Sequence, residues 1–312
     1  MSKQNNNSKP ISVNWHFWPW CNMKCRFCFA TFNDVKEVIP KDLALTVPKM
    51  LREAGTEKIT FVGGEPMLCP YIGELLIESK AQGLITKIVS NGSRFTEEFL
   101  SNYAQYIDYI TLSIDSPSNI TEKDLGRGWG NHVDNILETA KLIKSHKIIL
   151  QINSTITKLN WHEDMHVIMD SIKPQRWKVF QVLKVDGQNN VLVDDLLITK
   201  EEFDFFVDRH KDIPYAIFEN NDLITGSYIM LDPIGRFFDN LTGKHYYSET
   251  IFSAGITSAF KQVIWQKEKF MQREGFYYKK TQKESLLMKK SNILRLLNTK
   301  RKSFILKGER NV

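Results

Sequence analysis

The sequence predicts an α/β fold: an open, partial parallel barrel of six βα units followed by a C-terminal α+β extension. Three observations predict it. Short Val/Ile-rich runs alternate with segments of helical periodicity from residue 11 to residue 183. The runs are apolar along most of their length, as strands covered on both faces tend to be. A polar or glycine-containing tripeptide follows several of them, at the strand ends where α/β barrels carry their chemistry.

The elements follow in order. ISVNWHF (11–17) reads as the first strand and runs into the cysteine loop CNMKCRFC (21–28). KDLALTVPKMLREAG (41–55) reads as a helix ending at Gly55, with Pro48 as a break. KITFVGG (58–64) is the second strand, and YIGELLIESKAQG (71–83) a helix closed by Gly83. TKIVSNG (86–92), a helix from about Thr96, and YITLSID (109–115) continue the rhythm. NHVDNILETAKLIKSH (131–146) is the clearest helix: Asn131 caps it, and Val133, Ile136, Leu137, Ala140 and Ile143 share one face. IILQINSTI (148–156), a helix near 161–172 and RWKVFQVL (176–183) complete the barrel. The expected organisation is a disordered segment 1–10, a core 11–185, an extension 186–278 and a basic tail 279–312.

Composition limits function. Of 312 residues, 42% are hydrophobic, enough for a sizeable core. No apolar run reaches the roughly 18 residues of a membrane span, and the first ten residues lack a signal peptide's apolar segment, so a cytoplasmic protein without a membrane anchor is expected. The net charge of +6 is uneven: from Lys279 onward 11 Lys and Arg face 2 acidic residues, leaving the body at −3. LLMKKSNILRLLNTKRKSFILK has the pattern of a basic amphipathic helix for nucleic acid or a membrane surface, but such a tail more often is a solvated or partly disordered appendage. No DNA or RNA binding is expected.

Three of the four cysteines, Cys21, Cys25 and Cys28, stand as C-x3-C-x2-C. Three thiolates are one too few for a closed tetrahedral zinc site. They suit a 4Fe–4S cluster whose fourth iron keeps an open position. GGEP (63–66), SNG (90–92) and SIDS (113–116) fall at the ends of the next three strands, on the same rim. RWKVFQ alternates with period two, putting Arg176, Lys178 and Phe180 on one face. Two cations facing inward require an anion. HEDMH (162–166) satisfies the zinc-protease pattern H-E-x-x-H but lies away from the active rim and is read as chance.

C-x3-C-x2-C together with GGEP resembles the radical S-adenosylmethionine (SAM) superfamily. From Ser12 to about Tyr278 the chain further resembles the viperin family, through SVNWHF, EKITFVGGEP, IVSNGS, GRGWGNHVDN, QINSTIT, RWKVFQ, EEFDFFVDRHKD and SYIMLD. The resemblance implies a radical SAM barrel holding a 4Fe–4S cluster on Cys21, Cys25 and Cys28 and SAM near Phe27, Gly63, Gly64, Glu65, Asn91, Ser113, Arg127 and Asn153. Gly63, Gly64 and Glu65 would receive the methionine ammonium, Ser113 the ribose and Arg127 the methionine carboxylate. It implies substrate contacts from Lys58, Gln151, Asn153, Arg176, Lys178 and Tyr228, with Tyr228 and Arg127 as catalytic candidates and weaker claims for Glu219 and Asn221. The expected reaction is removal of the 4′ hydrogen of a ribonucleoside triphosphate (CTP, UTP or GTP) by a 5′-deoxyadenosyl radical. Loss of the 3′ hydroxyl as water, with uptake of one electron and one proton, then gives the 3′-deoxy-3′,4′-didehydro analogue, a terminator of viral RNA synthesis. A flavodoxin- or ferredoxin-type protein would supply electrons. EGFYYKK (274–280) resembles the segment that closes the active site. One departure stands out: the family carries a lysine where this chain has Gln151, so one cationic contact is lost or comes from elsewhere. Two other readings are a radical SAM enzyme acting on another small molecule or a peptide, and a non-enzymatic zinc or nucleic-acid binding protein.

Overall fold

The computed structural model describes residues 9–35 and 37–279. Residues 1–8 and nearly all of the basic tail lie outside them. Lys9 and Pro10, expected within an unordered segment, are described: the Pro10 carbonyl accepts a hydrogen bond from Thr56 Oγ1 at 2.7 Å. The chain divides into two compact units, Met1–Lys269 and Phe270–Val312. In the described part of the second unit, the Phe270 and Phe276 rings meet edge-on at 5.0 Å.

The first unit is built on one ten-stranded sheet. Its strands are β1 (Ser12–Trp18), β2 (Lys58–Gly63), β3 (Ile85–Ser90), β4 (Tyr109–Ser113), β5 (Ile149–Ile156), β6 (Arg176–Gln181), β7 (Ala216–Glu219), β8 (Ile229–Leu231), β9 (Arg236–Asp239) and β10 (Tyr246–Thr250). The order is β10-β9-β8-β1-β2-β3-β4-β5-β6-β7. β1 to β6 pair in parallel, as the alternating apolar runs predict. The strands of the extension lengthen the same sheet at both edges: β7 adds in parallel to β6, β8 adds in parallel to β1, and β9 and β10 return antiparallel.

The helices are α1 (Lys41–Ala44), α2 (Val47–Glu53), α3 (Ile72–Ala81), α4 (Glu97–Tyr103), α5 (Asn119–Asp124), α6 (His132–Ser145), α7 (His166–Ile172) and α8 (Lys200–His210), with further short helices after β7. The single helix expected over 41–55 is broken in two, and Pro48 sits in the first turn of α2, where its missing N–H costs nothing. α7 is shorter than expected because residues 158–162 form turns and 163–165 are irregular. Asn131 holds the N-cap position of α6, but its side chain makes no cap bond; Asn119 Oδ1 accepts from Val133 N–H instead, at 2.8 Å. The cap comes from the preceding helix, which sequence spacing does not reveal.

Strand side chains divide between two faces. Val13, Trp15, Phe17, Ile59, Phe61, Ile88, Ile110, Leu112, Leu150, Ile152, Trp177 and Val179 pack in one core with Leu51, Leu75, Leu76, Ile136, Ile143, Met169 and Phe206 of the helices. Alternation then turns Lys58, Thr60, Lys87, Tyr109, Thr111, Gln151, Asn153, Arg176 and Lys178 to the opposite, inner wall. That wall is polar and cationic while the helix-facing wall is oily. The contrast marks the inner wall as the working surface.

Candidate active site

The cysteine loop leaves the C-terminal end of β1 and is pinned by main-chain contacts. Lys24 N–H donates to the Gly126 carbonyl at 3.1 Å and Arg26 N–H to the Leu125 carbonyl at 3.0 Å. Gly126 has φ +80°, and a Cβ there would lie 2.1 Å from the Lys24 carbonyl oxygen. Only glycine allows this approach. Gly63 and Gly64 serve the neighbouring strand end: an added Cβ would meet the Trp18 oxygen at 2.4 Å and the Trp20 oxygen at 2.3 Å. Gly64 N–H donates to Trp18 O at 2.6 Å and Glu65 N–H to Trp20 O at 2.8 Å, so the GGEP turn is zipped to the start of the cysteine loop.

The three thiols are free and lie within electrostatic reach of one another and of Arg127. Met23 N–H donates to Cys21 Sγ at 3.3 Å, and Asn91 Nδ2 approaches the same sulfur at 3.8 Å. Burial pushes the Cys25 thiol up to about 12 and raises those of Cys21 and Cys28. Thiols this desolvated give up their protons when a cation takes their place. Three reduced thiols on one short loop, with Cys21 already receiving N–H bonds, fit an iron–sulfur cluster with three protein ligands.

Around them stand the other residues expected to meet SAM. Glu65 is 0% exposed; its carboxylate accepts from Met67 N–H (3.0 Å), Ser90 Oγ (2.7 Å) and Asn91 N–H (2.8 Å). It ties the GGEP turn to the end of β3 and its loop. Arg127 is buried, with its Nε 2.5 Å from Asp115 Oδ2, Glu122 Oε2 at 3.6 Å and the Phe27 ring 5.4 Å from its guanidinium carbon. Burial raises the Glu122 carboxyl to about 8, with nearby Asp115 adding to the shift. Ser113 pairs in register with Asn153 across β4 and β5, and its carbonyl meets His132 Nε2 at 2.8 Å. Phe27, Asn91, Ser113 and Arg127 thus gather at the strand ends around the cysteine loop, whereas Asn153 faces the barrel interior.

On the inner wall, Arg176 is 5% and Lys178 6% exposed, so the inward placement read from the alternation holds. Lys178 Nζ is 2.5 Å from Glu219 Oε1 and bonds the Tyr228 hydroxyl, which itself donates to Glu219 Oε2 at 2.5 Å. Lys58 is buried at the start of β2. Gln151 pairs in register with Arg176, and Asn153 with Lys178. The structure therefore brings Lys58, Gln151, Asn153, Arg176, Lys178 and Tyr228 onto one wall. Glu219, given only a weak claim from sequence, is central to it. Asn221 is set back, its side-chain N–H donating to the Val182 carbonyl at 3.1 Å. Sequence reasoning missed Lys87, Asp115 and Glu122. The inward alternation of TKIVS was the available signal for Lys87.

HEDMH forms no zinc-protease helix, because α7 begins only at His166 and Glu163 accepts instead from Thr121 Oγ1 at 2.8 Å. Asp164, His166 and His210 do come within 4.8 Å of one another. His210 has both ring nitrogens engaged, Nδ1 with the Phe206 carbonyl at 2.8 Å and Nε2 with Met165 N–H at 3.0 Å. His166 bridges Asp164 and Asp212, which raise its pKa. This cluster is an ion-paired clasp between α7 and the end of α8.

The Radical SAM superfamily model matches residues 15–170. The solved structure of Streptococcus suis SuiB bound to S-adenosylmethionine superposes with a TM-score of 0.60 at 17% identity, over 74% of this chain and 60% of that one, a likeness of fold. Fold and site together define a radical SAM enzyme, with a 4Fe–4S cluster and S-adenosylmethionine as its cofactors. An S-adenosylmethionine-dependent nucleotide dehydratase of Flammeovirga pacifica is 44% identical over 85% of this chain and 95% of its own length. Another, from Lacinutrix mariniflava, is 42% identical over 92% of this chain and 62% of its own length. The chain belongs to this viperin-type family of nucleotide dehydratases.

Proposed function

We propose that the protein converts a ribonucleoside triphosphate, CTP, UTP or GTP, to its 3′-deoxy-3′,4′-didehydro analogue, a chain terminator serving antiviral defence. Cys21, Cys25 and Cys28 hold the cluster. Gly63, Gly64, Glu65, Asn91, Ser113, Arg127 and Phe27 hold SAM. When bound, the two cofactors supply the 5′-deoxyadenosyl radical that removes the 4′ hydrogen. The chain's own part is to position the sugar against that radical and to manage a proton. Lys58, Arg176 and Lys178 take the phosphates, and Asn153 stands between cofactor and substrate. Tyr228, bonded to both Lys178 and Glu219, donates the proton or hydrogen at the sugar.

One observation carries this reading: Lys178 and Tyr228 are linked through Glu219 on the same inner wall as Arg176, so a phosphate site and a proton donor share one frame. Among the described residues no helix is long and apolar enough to cross a membrane. We place the reaction in the cytoplasm, with a flavodoxin- or ferredoxin-type donor. The test is anaerobic incubation with SAM, dithionite and each triphosphate in turn. A dehydrated nucleotide with stoichiometric 5′-deoxyadenosine from at least one triphosphate supports the proposal. SAM cleavage with no dehydrated nucleotide from any of them refutes it in favour of another small-molecule or peptide substrate.

A further inference from the structure

Lys87 lies in the middle of β3, 6% exposed, on the inner wall with Arg176 and Lys178. Its Nζ donates to Gln151 Oε1 at 2.7 Å, a contact that reaches from β3 past β4 to β5. An ammonium is a donor only, so the contact fixes which end of the Gln151 amide faces it. Oε1 must point to Lys87, which leaves Nε2 as the outward donor. That Nε2 has no hydrogen-bond partner among the described residues, and Gln151 is 1% exposed. Thr60 Oγ1, Thr111 Oγ1 and Asn153 Oδ1, on the same wall, are likewise buried and unmatched. Register places Thr60 beside Lys87, Thr111 beside Gln151, and Gln151 beside Arg176. One layer of the wall therefore offers an ammonium, an amide N–H2 and a guanidinium in sequence.

We propose that Lys87 is a phosphate-binding residue, presented from β3 and aimed by Gln151, which adds its own amide donor to the same anion. The cation the resemblance expects on β5 is delivered here from two strands away, and Gln151 becomes the hinge of a donor pair. Convergent donors of this kind suit the several oxygens of a polyphosphate. The proposal deepens the nucleotide reading and rests on it.

The experiment is equilibrium dialysis of the SAM-loaded, cluster-bearing enzyme against the triphosphate that it turns over and against the matching nucleoside. Lys87→Met is expected to weaken triphosphate binding about tenfold or more, the scale of one charge-assisted hydrogen bond. It should leave nucleoside binding and iron content unchanged. The exchange Lys87→Ser with Gln151→Lys is expected to recover most of the affinity, because the charge returns to the same layer. Undiminished triphosphate binding by Lys87→Met overturns the proposal. Should that variant fail to take up iron, Lys87→Arg is compared with Lys87→Gln: tighter binding by the arginine form supports it, and equal binding overturns it. If the wild-type protein binds and converts no triphosphate, the nucleotide reading itself has failed. Normal turnover by wild type with an unaffected Lys87→Met sinks only the assignment of Lys87.

Discussion

Gly126→Ala tests whether the GRG turn builds the cluster site. The new methyl carbon would lie 2.1 Å from Lys24 O, 2.9 Å from Lys24 C and 3.3 Å from Cys25 Cα, all main-chain atoms between the first two cluster cysteines. An L residue at φ +80° adds about 1–2 kcal/mol of conformational cost. Forcing the segments apart also breaks the Lys24–Gly126 and Arg26–Leu125 hydrogen bonds, each worth about 1 kcal/mol. The local penalty is therefore about 3–4 kcal/mol, enough to favour an opened cysteine loop by two orders of magnitude or more. Gly130→Ala is the control. Gly130 has φ +103°, but its nearest atom would be the Lys123 side chain at 3.9 Å, so it carries the backbone cost without the clash. The assay is iron and sulfide per chain after anaerobic reconstitution, with far-UV circular dichroism to confirm folding. Gly126→Ala should fold but hold little cluster, while Gly130→Ala should reconstitute normally. Full iron uptake and SAM cleavage by Gly126→Ala would refute the reasoning.

Two further predictions follow. Tyr228→Phe removes the hydroxyl shared by Lys178 and Glu219; SAM cleavage should persist while dehydrated nucleotide falls about 10²- to 10⁴-fold, the usual scale for a proton-transfer group, and unchanged product yield by mass spectrometry would exclude Tyr228 as donor. Burial, with Asp115 beside it, holds the Glu122 carboxyl up at about 8 in the folded state against 4.5 for an ordinary glutamate, so the folded state holds an extra proton between those limits. Stability from this group is greatest at the acid end, falls by up to about 1.4 kcal/mol per unit as pH rises through that window, and is level above it. Glu122→Gln should flatten that part of the profile in denaturant titrations; a slope equal to wild type would contradict the assignment.

Much of the site was legible because its signals are local. The spacing of Cys21, Cys25 and Cys28 lies within eight residues, and a strand's period of two turns Arg176 and Lys178 to one face whatever lies around them. Helical periodicity gave the buried face of α6 in the same way. Asn131 misled because Asn119, at the start of the preceding helix, does the bonding. The four strands added by the extension are short, three to five residues, and carry too little pattern to announce which edge they join.

The sequence by itself determined the ligand set, the glycines that a close backbone approach demands, and the face each strand turns inward, since all depend on neighbours along the chain. Only the tertiary structure decided which inward groups touch. Lys87 meets Gln151 across 64 positions of sequence, and Tyr228 meets Lys178 across 50. Such contacts are fixed by strand order and register, which are set by packing the whole sheet against its helices. No stretch of sequence carries that information alone.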